Sequence, residues 1–262
     1  MRAVMTCSPT FRGILLWAVG CSLAILTGCA GTSVPASTAG NGLLQPPRLA
    51  LAFAYYQNGQ YRVALEESNK VLEAQPEHPQ TLGLQALIYA RLNETALAQS
   101  SFARAEQGAM QDADIAHNHG LYLCQRQQYP QAFERFARAV QQPLYADKAK
   151  TLWVWGVCAQ QGGDELAAQN LWNRSLALEP TAQAALALAQ SYRQQQQLAR
   201  ATAVVSDINS TPAATPETLW LGLVWARQSA DKAAIRRYAS QLQKQFPTST
   251  QWLAFQREAD DE

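Results

Sequence analysis

The sequence predicts an all-α fold, a solenoid of six stacked helix-turn-helix repeats, and two observations carry that prediction. A small residue recurs at Ala52, Ala86, Gly120, Gly156, Ala189 and Gly222, at steps of 34, 34, 36, 33 and 33 residues. Twelve positions after each of them stands an alanine: Ala64, Ala98, Ala132, Ala168, Ala201 and Ala234. A fixed inner offset with a period in this range belongs to stacked helical hairpins. The small residues mark where helix A and helix B of one hairpin cross, since a larger side chain there would hold the two backbones apart. An irregular all-helical bundle is the alternative, and it gives no reason for the same offset six times.

The units run over about residues 45–78, 79–112, 113–148, 149–181, 182–214 and 215–248. Three residues after the first small position come Tyr55, Tyr89, Leu123, Ala159, Tyr192 and Trp225. Four after the alanine come Ser68, Phe102, Phe136, Trp172, Val205 and Tyr238. At helical spacing both sets fall on the inner faces of helices A and B. Asn58-Gly59-Gln60, Gln161-Gly162-Gly163-Asp164 and Gln194–Gln197 supply turns between the helices. Pro76 and Pro180 end helix B, because proline cannot continue it. Repeat two carries Met110 in place of that proline, and repeat five is degenerate, with a Gln-rich turn. The pattern resembles the tetratricopeptide repeat (TPR) family over residues 45–250, which implies a right-handed α-solenoid of six TPR units. Residues 251–262 read as a C-terminal tail, solvated at Asp260, Asp261 and Glu262.

The N-terminus reads as a targeting segment. Arg2 and Arg12 flank the start of an apolar run, Gly13 to Ile25, that is short for a transmembrane helix. Leu26-Thr27-Gly28-Cys29 follows and resembles the lipobox of bacterial lipoproteins, which implies a signal peptide over residues 1–28 and lipid attachment at Cys29. An ordinary signal peptide with a chance cysteine is the other reading. The resemblance, with Ala30 rather than aspartate after the cysteine, implies sorting to the outer membrane, where several acyl chains anchor firmly. Residues 29–44, rich in Ser, Thr, Gly and Ala, read as a flexible tether.

With Cys7 and Cys21 removed and Cys29 lipidated, Cys124 and Cys158 remain. An exported protein in an oxidising compartment with two leftover cysteines invites a disulfide. The two lie in the A helices of consecutive repeats, which are neighbours in a solenoid. Two buried free thiols behaving as small hydrophobes are the alternative.

Composition and motifs exclude several functions. The net charge is +1, and removal of residues 1–28 leaves 19 basic against 20 acidic residues, so there is no electrostatic case for nucleic acid. The sequence holds no G-x-x-x-x-G-K-[ST], G-x-S-x-G or H-E-x-x-H motif. His117 and His119 are two apart on one helix and face different ways, which argues against a metal pair. Asp112-Ala113-Asp114 reads as a helix start, where acids suit the N-terminal dipole. The protein is therefore expected to be no enzyme, to need no cofactor or metal, and to take no small-molecule substrate.

What remains is a binding surface. Helix A lines the concave face of such solenoids, and its exposed positions in the first two repeats give an apolar groove: Leu49, Phe53, Tyr56, Leu84 and Leu87, with Trp153 and Val157 added by repeat four. Apolar patches of this kind mark partner sites, and the partner would be an extended or helical apolar segment. A capping segment containing Leu43 and Leu44 could cover the groove instead. Of a carboxylate-clamp pattern only Asn118 is present.

One stretch is more specific. Asn118-His119-Gly120-Leu121-Tyr122-Leu123-Cys124, followed by Ala132, Phe136, Ala139 and Pro143-Leu144-Tyr145, resembles the third repeat of the type IV pilus biogenesis lipoproteins, the PilF/PilW family. The two-residue lengthening between Gly120 and Gly156 falls at Pro143-Leu144-Tyr145. Gly156-Val157-Cys158-Ala159, Thr218 to Gly222 and Leu242 to Pro247 add to the likeness, while His119 departs from the family's tyrosine. The resemblance implies a pilotin: a protein held by Cys29 on the periplasmic face of the outer membrane that binds the type IV pilus secretin and promotes its localisation and multimer assembly. A scaffold lipoprotein for outer-membrane protein assembly or for cell-wall synthases is the alternative.

Overall fold

The structure, a computed structural model, describes residues 47–260. The signal peptide, Cys29, the tether with Leu43 and Leu44, and Asp261 and Glu262 lie outside the described residues. Within them the chain is all α. Six hairpins follow one another: α1 Pro47–Gln57 with α2 Tyr61–Ala74, α3 Pro79–Arg91 with α4 Thr95–Gly108, α5 Ala113–Gln125 with α6 Tyr129–Gln141, α7 Lys148–Gln161 with α8 Glu165–Leu178, α9 Ala182–Gln194 with α10 Leu198–Asn209, and α11 Pro216–Gln228 with α12 Lys232–Gln245. A thirteenth helix, α13 Thr250–Asp260, stands where the sequence suggests a tail. Trp252 and Phe255 stack at 5.6 Å and pack on the α11–α12 cluster of Leu219, Leu223, Tyr238 and Leu242. This helix covers the last hairpin as a capping element covers the end of a repeat array.

Each helix packs most closely on its hairpin partner, each B helix on the A helix that follows, and successive A helices lie side by side. The small positions explain the register. Ala52, Ala86 and Ala189 and their partner alanines are buried, and the glycines sit against the aromatic sixteen residues on. A methyl group on Gly120 would lie 2.8 Å from the Phe136 ring, on Gly156 2.6 Å from Trp172 Cδ1, and on Gly222 2.8 Å from Tyr238. At these three crossings the helices approach closely enough that a methyl group would overlap the ring, whereas in repeat two Ala86 packs in one core with Phe102. Where the B helix offers Ser68 or Val205, alanine suffices.

The hairpin turns share a feature that composition hides. Each holds one residue in the left-handed region: Gly59, Asn93, Gln127, Gly163, Gln196 and Ala230. In each, the residue that follows donates its backbone N–H to a carbonyl in the last turn of helix A, as Gln60 does to Tyr55 at 2.9 Å and Asp164 to Ala159 at 2.9 Å. This is the Schellman closure of a helix. It holds even where Gln127, Gln196 and Ala230 bear a side chain that disfavours that conformation. Four of the five B→A connections use side-chain caps instead, at His78, Asp112, Thr181 and Thr215. Asp112 Oδ1 accepts the backbone N–H groups of Asp114 and Ile115 at 3.0 Å each, and Thr215 and Thr218 form a reciprocal capping box.

Candidate functional site: a polarised groove on the A helices

The A helices of the first four repeats line an open groove of about 500 Å³. All five residues expected from the sequence line it: Leu49, Phe53 and Tyr56 from α1, and Leu84 and Leu87 from α3. They contribute unequally. Leu49 and Leu84 are 3% and 5% exposed and belong to the core between repeats one and two, whereas Phe53 is 45% exposed. Tyr56 and Leu87 are half-buried. Phe53 and Tyr56 stack at 6.3 Å, Tyr61 continues the row at 5.8 Å from Tyr56, and the Arg91 guanidinium lies 5.9 Å from the Tyr56 ring. The apolar wall available to a partner is therefore Phe53, Tyr56, Leu87 and, from α5, Leu121. Trp153 and Val157 do not line it. They are half-buried against the core of repeats four and five, because α7 turns these positions toward its neighbours.

The rest of the lining is polar and escapes the sequence pattern. Gln80, Asp112, Asp114, His117, Tyr145, Asp147 and Lys150 form the edge at which helices α3, α5 and α7 begin. The Pro143-Leu144-Tyr145 lengthening gives that edge its shape. It leaves Leu144 97% exposed and turns Tyr145 back to the groove, where its hydroxyl lies 2.9 Å from Thr151 Oγ1. Thr151 Oγ1 in turn lies 2.8 Å from His117 Nδ1, joining repeats three and four. Burial pushes Tyr145 up to about 12. Burial, and Lys150 next, push His117 down to about 4 from its usual 6.5, against the pull of Asp147. A histidine depressed in this way keeps its neutral form in the fold while the unfolded chain takes up a proton near pH 6.5. Between pH 6.5 and 4 the unfolded state therefore binds more protons, and stability falls as the pH drops through that window, by about 3 kcal/mol in total. Urea unfolding at pH 7 and pH 4 should show this loss for the native chain and a flatter dependence for His117→Gln. An unchanged dependence in the variant would contradict the assignment.

His119 points away from His117. Its ring stacks on Phe102 at 4.6 Å, and its Nδ1 lies 2.8 Å from Glu106 Oε1, a buried carboxylate that Arg138 and Arg135 also approach. Burial raises the Glu106 pKa, but His119, Arg138 and Arg135 outweigh it and hold the group below its usual value. His119 thus combines aromatic stacking on Phe102 with a hydrogen-bonding contact to Glu106. Beside the groove the Sγ atoms of Cys124 on α5 and Cys158 on α7 are joined in a disulfide with Cα atoms 5.8 Å apart. Among the described residues no group of three His, Cys, Asp or Glu side chains is placed to hold a metal ion, and no helix is long and apolar enough to cross a membrane.

Six hairpins with small-to-aromatic crossings, a concave face built of A helices and a capping helix define the class: an all-α TPR solenoid. Within that class the chain is similar along its length to one kind of protein. It is 24% identical over 251 residues, 94% of this chain and 97% of the relative, to the type IV pilus assembly protein PilF of Pseudomonas aeruginosa. The solved structure of Pseudomonas aeruginosa PilF superposes with a TM-score of 0.62 at 23% identity, over 80% of this chain and 96% of that one. That of PilW, a type IV pilus biogenesis factor, superposes with a TM-score of 0.58 at 26% identity, over 79% and 96%. MamA shares the fold alone, at 15% identity and a TM-score of 0.52. No protein-family model matches the sequence. The resemblance carried in the sequence by the third repeat thus extends over nearly the whole chain.

Proposed function

We propose that this protein is a type IV pilus biogenesis factor that acts by protein contact rather than catalysis. In this reading it binds the outer-membrane secretin of the pilus and promotes its localisation and multimer assembly. The observation that supports it best is the likeness to PilF, which spans both chains almost end to end. The groove adds a means: a preformed, partly apolar face where an exposed Phe53 sits beside Tyr56 and Leu87. The lipid on Cys29 fixes the protein to the inner leaflet of the outer membrane, so that capture of a secretin segment raises its concentration where multimers form.

Deleting the gene is then expected to abolish secretin multimers and twitching motility. Complementation with Phe53→Ser should fail to restore multimers, because an exposed aromatic anchor at an interface is worth about 2 kcal/mol or more, roughly thirtyfold in affinity. The variant should fold normally, since Phe53 is nearly half exposed. Cys29→Ser should leave the protein unanchored in the periplasm. Normal multimers in the deletion strain would sink the reading.

A further inference from the structure

We propose that the segment the groove takes is a basic amphipathic one, with apolar side chains on Phe53, Tyr56 and Leu87 and a lysine or arginine end that reaches Asp112, Asp114 and Asp147. This rests on the groove being the partner site proposed above, and it names the chemistry of what that site accepts.

The groove is polarised by the way the repeats stack. Successive A helices lie side by side, so their N-terminal ends share one edge. Asp112 precedes α5, Asp114 lies in its first turn and Asp147 precedes α7, which gathers three carboxylates on that edge of the groove beside Lys150, while Lys148 at the start of α7 donates to the Pro143 carbonyl at 3.1 Å and does not line the groove. Arg91, at the end of α3, lies on the other edge beside Tyr56. The apolar wall runs between the two edges.

Acids at helix starts ordinarily serve the helix, and this accounts for Asp112, which caps α5 and accepts a hydrogen bond from Gln80 Nε2 at 3.1 Å. It does not account for Asp147. That residue occupies the N-cap of α7, yet its side chain makes no cap hydrogen bond. Among the described residues neither Asp114 nor Asp147 forms an ion pair, and neither does Lys150. Burial, with Asp112 and Asp147 after it, raises the Asp114 pKa, and Lys150 offsets only part of that rise, so the carboxylates outweigh the cation beside them. A cationic partner end would relieve that repulsion, and a neutral or acidic end would not. An apolar wall ending in carboxylates that outnumber their one neighbouring cation in the groove complements a helix or strand with one apolar face and a basic end.

The test uses the full chain and two synthetic amphipathic helical peptides with the same leucine and alanine face, one with lysines grouped at an end and the other with glutamates there. Fluorescence anisotropy at low salt should show the lysine peptide binding roughly tenfold more tightly, with the advantage shrinking as salt is raised. The double variant Asp114→Asn/Asp147→Asn should lose that advantage, while Phe53→Ser weakens both peptides. Equal binding of the two peptides, or a lysine advantage that survives the double variant, would overturn the proposal. In cells, secretin multimers that need Phe53 but form normally with Asp114→Asn/Asp147→Asn would overturn the basic segment and leave the groove's role standing. Multimers indifferent to Phe53 as well would remove that role itself.

Discussion

Trp172→Ala is expected to cost about 3–5 kcal/mol of unfolding free energy, the range for deleting a fully buried large aromatic side chain. Among the described residues Trp172 is the largest fully buried side chain, and it belongs to the cluster that joins repeats four and five, with Leu152, Leu188, Tyr192 and Val205. Its indole N–H donates to the Trp153 carbonyl at 3.2 Å, so the ring is fixed in orientation as well as in place. The glycine opposite makes a second measurement possible. Gly156→Ala alone should destabilise by about 1–3 kcal/mol, because the new methyl group would overlap the indole. In the Trp172→Ala background that overlap is gone. The two costs should then fail to add, with a coupling of about 1 kcal/mol or more in a double-mutant cycle. Additive costs would mean that the crossing is not closed by this pair of residues. Chemical denaturation followed by circular dichroism gives all three values.

The same crossing explains why the fold was legible in the sequence. Helix diameter and crossing distance demand a small residue at a fixed point of each hairpin, and that demand falls on single positions, so Ala52 to Gly222 and Ala64 to Ala234 stand out by spacing alone. Other features depend on contacts that spacing does not record. The left-handed turn residue sits at nearly the same place in every hairpin, but three of its occupants, Gln127, Gln196 and Ala230, are not turn formers, because the backbone hydrogen bond to helix A holds the conformation whatever the side chain. Helix α13 carries no small anchor and pairs with no following helix, so it lacks the signal that marked the others.

The groove was half legible. Helical projection put Leu49, Phe53, Tyr56, Leu84 and Leu87 on the concave side, and they are there. Projection fixes direction and says nothing of how much the next helix covers, which is why Leu49 and Leu84 are core residues and Phe53 is not. The acidic edge escaped for a related reason. Asp112 and Asp114 read as a helix start, and their nearness to Asp147 exists only once α5 and α7 lie side by side. Tyr145 needed the two-residue lengthening to fold back on Thr151 before it could join the same wall.

Replacing both disulfide cysteines, Cys124→Ser with Cys158→Ser, should cost about 4 kcal/mol, the chain-entropy value for a loop of this length. The bond spans 34 residues and ties α5 to α7, so its loss falls on the junction of repeats three and four rather than on the whole array. A solenoid is stabilised by repeats and by interfaces between neighbours. Weakening one interface in the middle should let the two halves unfold separately. The tryptophans make this visible. Trp153, Trp155, Trp172, Trp220, Trp225 and Trp252 all lie in repeats four to six or in α13, so among the described residues indole fluorescence reports only the C-terminal half, whereas circular dichroism reports both. In the native oxidised chain the two signals should change together in urea. In the double serine variant, or after reduction, the midpoints should fall and the two curves should part. Coincident curves at an unshifted midpoint would show that packing alone holds the junction. The expected outcome bears on the groove as well, since Asp114 rides on α5 while Asp147 and Lys150 ride on the start of α7. A junction free to open would pull apart the wall and the acidic edge that a partner must meet together.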